Sequence, residues 1–455
     1  MRILAKPFQL LGYAAYITAL IFLLDTAVTI DMSLIYGLLS LLLLTAAFLV
    51  ISIPNKLIIL LLTGSASFIF IQEGTGPREA AEAFGTNANI LALFLLIPLA
   101  GTYMSYTGYL TSLKQFIVKR STVSGSHPYR LSFLLTLSIG FVLNYGSLAI
   151  IRQIADESFR SFREKQLTLH MMRAFACCML WSPYFVNVGL ITALFDVSWF
   201  SIGLFGMIMA LIYALTAAFW LRFTSFSQEQ IVENKPEPMG REASILPLLR
   251  FGGIFTGLSF LLYYMFDVSM IVIVCTTAVF LPALYALIKK EANGYYAELI
   301  KDSSHAFLRL RNELSIFIAA GFFGTAVSAT DAGTVISSRL ADWTSGSVLL
   351  FTVIIIAVTT MFALIGFHPI VIIIGIGSSL NLEALQISPE YASLLLLASW
   401  TTATQVSPFA GQILMSSRLM KITPLELSKK NMGFTAAAGT LLVLFLYSLH
   451  LTGIL

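Results

Sequence analysis

Charge is scarce in this sequence. Asp, Glu, Lys and Arg make up 11% of its 455 residues, and 58% are hydrophobic, whereas a soluble domain has about 25% charged residues. The longest polar stretch is 222–244, which leaves no room for a separate soluble domain. Cysteine is rare too. Cys177, Cys178 and Cys275 all fall inside apolar runs and read as small core residues, so neither a disulfide framework nor a thiolate metal site is expected. GxGxxG, Walker A, HExxH and paired-carboxylate patterns are missing, which argues against an ATP-driven pump and a membrane hydrolase. No enzymatic activity and no bound cofactor are expected. The net charge of +4 carries no sign of a nucleic-acid partner. There is no N-x-[ST] sequon and the loops are short, which fits the cytoplasmic membrane of a bacterium.

What the chain has in abundance is apolar sequence in runs of roughly 20 residues, enough to cross a bilayer. Helices are expected near 8–24, 32–52, 55–72, 88–112, 168–195, 199–222, 245–265, 268–288, 313–330, 391–416 and 431–451. The fold class is therefore all-α and polytopic, with about 11 transmembrane helices. The first run has no small-residue cleavage site behind it and is expected to remain as a helix. When these helices alternate, all of the 27 Lys and Arg residues except Arg78 and Arg339 fall on one face. That bias places the N-terminus in the cytoplasm and the C-terminus outside. The alternation holds only if the apolar stretches 131–151 and 347–380 do not cross. Arg130, Arg160, Arg163 and Lys165 flank the first, and Arg339, Asp342, Glu383 and Glu390 the second. Each is expected to be a re-entrant hairpin, entered from opposite faces, with turn-forming tips at 144–147 and 366–369.

Two further stretches repeat one another. SPYFVNVGLITALFDVSWFS begins at Ser182 and SPFAGQILMSSRLMKITPLE at Ser407. Pro183 and Pro408 each delete a ladder hydrogen bond and clash with the preceding turn, so both helices should open there. In hydrocarbon the freed groups must be buried in protein or line a wet cavity. Broken helices in corresponding places point to a transporter's binding site. Other landmarks repeat at nearly the same spacing: Asn89 and Asn312 at 223, Gly101 and Gly324 at 223, Gly140 and Gly366 at 226, and the serines at 225. The expected organisation is an extra helix (1–29), a first repeat (30–222), a cytoplasmic linker (223–244) and a second repeat (245–455). Each repeat would have five crossings, an odd number, so the copies must be inverted. Ahead of the third helix of each repeat, the polar segments 76–87 and 297–311 are expected to lie along the membrane surface.

Ser182 and Ser407 would supply hydroxyls to a substrate or ion, Asn187 and Gln412 amides, and Pro183 and Pro408 the breaks themselves. Asn144, Gly146 and Ser147 stand at the first tip, and His368 and Pro369 at the second. Thr402 and Thr404 precede the second break. The bland alternative is that Ser and Thr bond to their own helix backbone or hold helices together. His368 carries an imidazole that titrates near physiological pH. Asp331 reads as a solvated loop carboxylate, and Arg152 and Arg173 as snorkelling cytoplasmic anchors, with contact to an anion as the other option. No metal ligand set can be assigned.

This combination resembles the ion transporter superfamily, which includes divalent anion/sodium symporters, gluconate- and citrate-type permeases, arsenite permeases and one class of sodium/proton antiporter. The resemblance implies a secondary active transporter moving a small organic anion by alternating access, coupled to Na⁺ or H⁺. It also implies a homodimer in the lipid bilayer, with the hairpins, 168–222 and 391–451 moving against a dimerising scaffold. Divalent-anion symporters carry a Ser-Asn-Thr signature at each tip and break. Asn144 and Ser147 match it in part, but His368 and Pro369 replace it at the second tip, which favours coupling to a proton. The rivals are a cation/proton antiporter, which needs a buried carboxylate, and a lipid-handling or non-transporting membrane protein.

Overall fold

The computed structural model describes every residue except 1, 29, 124–127, 144–150, 153–155, 157–158, 160, 227–228, 230, 234–243 and 267. Its helices are α1 (Arg2–Ala27), α2 (Ser33–Val50), α3 (Ile53–Gln72), α4 (Pro77–Ala83), α5 (Ala88–Tyr106), α6 (Tyr109–Val123) and α7 (Pro128–Leu143). There follow α8 (Glu164–Met179), α9 (Val186–Leu194), α10 (Trp199–Trp220), α11 (Leu246–Met265), α12 (Met270–Ile288) and α13 (Ala292–Ser328). The last are α14 (Ala332–Thr344), α15 (Val348–Leu364), α16 (Pro369–Ser378), α17 (Pro389–Val406), α18 (Gly411–Met420) and α19 (Pro424–Leu451). Among the described residues, eight helices are long and apolar enough to cross a membrane, or nine if the bent pair 334–364 is one span. The chain is an all-α polytopic membrane protein. The two helices broken at Ser-Pro are not among the eight. A short antiparallel ribbon is also present, pairing β1 (Ser161–Arg163) with β2 (Ile231–Glu233).

The chain folds as two units, and each collects segments from both halves of the sequence. Unit 1 comprises Met1–Tyr103, Leu258–Ser347 and Ile370–Ile387. Its axis is α13, 37 residues long or about 55 Å at 1.5 Å per residue, against which α1, α2 and α3 pack. The surface helix expected over 297–311 is instead the first part of this continuous helix. Residues 295–320 contain neither Gly nor Pro, so nothing interrupts the backbone ladder. Ser304, Ala306 and Phe307 bury one face of that part while Lys301, His305 and Arg309 stay exposed. Phe307 stacks on Phe8 with ring centroids 6.2 Å apart. The counterpart segment 76–87 does form a separate short helix, α4, and Asn87 then donates its side-chain amide to the Phe317 carbonyl at 2.9 Å.

Unit 2 comprises Met104–Gly257, Val348–Pro369 and Ser388–Leu455. Two of its helices are buried on every face: α8 from Leu167 to Met179, and α17 from Tyr391 to Val406. A helix enclosed on all sides belongs at the centre of its unit. Here α7, α10 and α18 pack on α8, and α9, α15 and α19 on α17.

Several boundaries differ from expectation. The helix expected over 88–112 stops at Tyr106 and restarts at Tyr109, because Gly108 takes a left-handed φ of +72°. Helix α14 forms where a loop was expected, and Asp331 sits exposed just before it. The stretch 347–380 turns at 365–368, with Gly366 at φ +115°, a conformation that favours glycine. That turn lies at the expected tip. The first tip, with Asn144, Gly146 and Ser147, lies outside the described residues. Matched landmarks sort together: Asn89, Asn312, Gly101 and Gly324 fall in unit 1, and Gly140, Gly366, Ser182 and Ser407 in unit 2.

The α1–α13 contact depends on a missing side chain. A Cβ at Gly12 would stand 2.3 Å from the Ser303 carbonyl oxygen, so α1 would have to move. Gly12→Ala should therefore lower unfolding stability in detergent by about 1–3 kcal/mol, the usual cost of overpacking. An unchanged denaturation midpoint would show that the two helices separate without cost.

Candidate functional site

Each break is closed in the same way. At the first, α8 ends at Met179 and α9 begins at Val186. The Ser182 hydroxyl donates to the Phe141 carbonyl at 2.9 Å, near the end of α7, and accepts the Tyr184 amide at 3.4 Å. At the second, the Ser407 hydroxyl donates to the Ala363 carbonyl at 2.7 Å, near the end of α15, and accepts the Phe409 amide at 3.3 Å. Helix ends leave carbonyls without intrahelical partners, and in each copy the serine satisfies one of them while closing its own turn. The first break is finished by Asn187, whose amide donates to the Met179 carbonyl at 2.6 Å, and by Trp199, which donates to the Trp181 carbonyl at 2.7 Å.

Side chains around the second break are bonded to one another. Gln405 donates to Gln412, whose own amide reaches the Met179 sulfur at 3.4 Å. Asn431 on α19 donates to the Gln405 carbonyl at 2.9 Å and to its side-chain oxygen at 3.2 Å. Arg173 on α8 completes the ring by donating its Nε to Asn431 Oδ1 at 3.0 Å. All of these polar groups are buried.

Arg173 is the anomaly. It is 0% exposed, and its guanidinium lies over the Phe434 ring, 4.0 Å from the centroid. Nη1 and Nη2 have no hydrogen-bond partner. Among the described residues no carboxylate pairs with it. The cytoplasmic anchor expected here is thus a fully enclosed cation with two open donors. Arg152 is not a snorkelling anchor either. It is buried and neutralised by Asp156 and Glu164, each at 2.9 Å. An uncompensated charge buried in a protein costs several kcal/mol, and charges inside membrane segments mark substrate or ion paths.

The fold is similar to that of the YdaH transporter of Alcanivorax borkumensis, whose crystal structure is described as revealing an unusual topology. The two share 13% identity with a TM-score of 0.54, and the match covers 80% of this chain and 85% of that one. No family profile and no curated protein matches the sequence. At this identity the likeness is one of fold.

Of the residues singled out from sequence, Ser182, Asn187, Thr402, Thr404, Ser407 and Gln412 are buried in unit 2, with Pro183 and Pro408 at the breaks between them. Thr402 bonds back to the Ala398 and Ser399 carbonyls, both at 2.9 Å, and Thr404 to the Thr401 carbonyl at 2.9 Å. His368 is partly buried and Pro369 buried at the turn between α15 and α16. Arg173 follows the alternative reading, a cation available to an anion, while Tyr213, Gln405 and Asn431 are not among the residues that the sequence singles out. The available signal was an arginine and an asparagine within otherwise apolar helices, where an ionisable group is functional by default. Among the described residues no cluster of three or more His, Cys, Asp or Glu could hold a metal.

Because each serine hydroxyl is already engaged, its removal should act first on stability. Ser407→Ala leaves the buried Ala363 carbonyl without its partner and should cost about 1–3 kcal/mol in chemical denaturation, with Ser407→Thr retaining most of it. Wild-type stability in Ser407→Ala would free the hydroxyl for a substrate role.

Proposed function

We propose that the protein is a secondary active transporter that moves a small organic anion across the membrane by alternating access, coupled to H⁺ or Na⁺. The observation that carries this reading is the enclosed guanidinium of Arg173, unpaired and bonded through Asn431 and Gln405 to the second break. A bound anion supplies the missing countercharge. The duplicated breaks support two inverted repeats, and the fold likeness to a protein described as a transporter supports transport. The ion transporter superfamily remains the group whose architecture this proposal follows. In that reading unit 2 carries the substrate, the N-terminus is cytoplasmic, and His368 at the turn exchanges the coupling proton.

One observation favours the rival cation/proton antiporter. Glu313 has a buried carboxylate oxygen without a hydrogen-bond partner. It belongs to unit 1, however, whereas both breaks belong to unit 2.

Counterflow of radiolabelled anions into proteoliposomes, with Na⁺ and pH gradients varied, tests the assignment. Arg173→Gln should reduce anion flux about a hundredfold, the scale of losing one desolvated charge pair. Cation exchange without anion flux would instead support the rival. His368→Gln keeps hydrogen bonding but cannot titrate, so it should retain substrate exchange and lose uptake driven by a pH gradient. An absolute Na⁺ requirement in the parent would remove His368 as the carrier.

A further inference from the structure

Three buried donors lack acceptors in one neighbourhood: Arg173 Nη1, Arg173 Nη2 and the Tyr213 hydroxyl. They stand on α8 and α10, which pack together. Phe434 organises both. The guanidinium lies over its face, and Tyr213 meets it edge-on with centroids 5.1 Å apart at 86°. With Nε taken by Asn431, the guanidinium has its two Nη donors left, a spacing that matches the two oxygens of a carboxylate. The phenol supplies a third donor. The neutral side chains Gln405, Gln412 and Asn431 are bonded to one another.

We infer that Arg173 and Tyr213 form a three-donor seat for a single carboxylate, so that the transported anion carries one negative charge rather than two. This rests on the anion-transport reading above. The charge count supports it. Among the described residues of unit 2, the buried arginines are Arg152 and Arg173, and Arg152 is already paired with Asp156 and Glu164. Among the described residues both of these carboxylates are taken up at Arg152, Arg173 has none, and one carboxylate neutralises it. A second carboxylate would be buried without a counterion, the costlier arrangement for a charge in a protein interior. His170, one turn before Arg173 and tilted against Phe133 at 4.5 Å, would add charge only if protonated.

The test pairs monoanions with their dianionic homologues: propionate with succinate, and benzoate with phthalate. Potassium salts at matched ionic strength are titrated at pH 8, where an unperturbed imidazole is neutral. Binding is read as the ligand-dependent rise in melting temperature of the purified full-length protein in detergent. At least one monocarboxylate should bind ten or more times tighter than its dianion, roughly the weight of one poorly compensated charge. Tyr213→Phe preserves the ring on Phe434 and should weaken that binding about tenfold, one hydrogen bond to a charged group, without changing the ligand-free melting temperature. Arg173→Gln should abolish binding, and Arg173→Lys, which keeps the charge but loses the fork, should retain part of it. A dianion that binds as tightly as its monoanion overturns the single-charge inference and leaves anion transport standing. Parent-like binding in Tyr213→Phe removes the third donor. Undiminished binding in Arg173→Gln, or no binding of any of the four anions by the parent, overturns both readings.

Discussion

A backbone group released inside hydrocarbon must find a partner within the protein, because no water is there to take it. Much of the interior of unit 2 follows from that requirement. Pro183 and Pro408 open two helices that are otherwise buried on every face, and each opening frees carbonyls and amides together. A serine hydroxyl can donate once and accept twice. Ser182 and Ser407 use this to close their own turns and tie them to α7 and α15. The break is thereby held to a neighbouring helix end, so the opening is a fixed feature of the fold and not a frayed terminus.

Neutral groups satisfy one another at the breaks themselves, and the charged group left with open donors beside them is Arg173. Gln405, Gln412 and Asn431 bond to each other, to Met179 and to Arg173 Nε. The ring starts and ends on α8 but leaves the outer guanidinium nitrogens open. A ligand that binds the folded state alone stabilises it by mass action, so an anion at Arg173 would relieve the cost of that buried charge. Its effect would not stay local. The side chain that holds Arg173 also holds the end of α17, so an anion in the proposed seat would be one hydrogen-bonded residue away from the second break.

Most spans were legible in the sequence because hydrocarbon imposes length and apolarity together, and Ser-Pro inside such a run marks a break by backbone sterics alone. Gly366 likewise announced the turn after α15. The misses have different physical origins. Lys and Arg on 297–311 read as a surface segment, yet one buried face led by Phe307 and the lack of any breaker carry α13 straight through. The ribbon of β1 and β2 pairs stretches far apart in sequence and has no local periodicity to reveal it. Arg173 was read by its distance from the expected cytoplasmic end. Its enclosure depends on Phe434, Asn431 and Tyr213, which reach it from helices elsewhere in the chain, and no window of sequence contains that information.

The pairing of landmarks also shows where the two halves cease to be equivalent. Serines, following prolines and amides recur at a spacing of 225, but the same spacing carries Arg173 to Ala398, Tyr213 to Ala438 and Asn431 back to Gly206. Gly206 has a packing reason of its own, since a Cβ there would stand 2.5 Å from the Leu180 carbonyl oxygen. The groups that close the breaks are therefore duplicated, whereas the charge and its partners are not. Arg173 and Tyr213 come from the first half, Asn431 and Phe434 from the second, so neither half alone could build the proposed seat. In the proposed reading, the repeated positions close the breaks, and recognition would come from positions at which the two stretches differ.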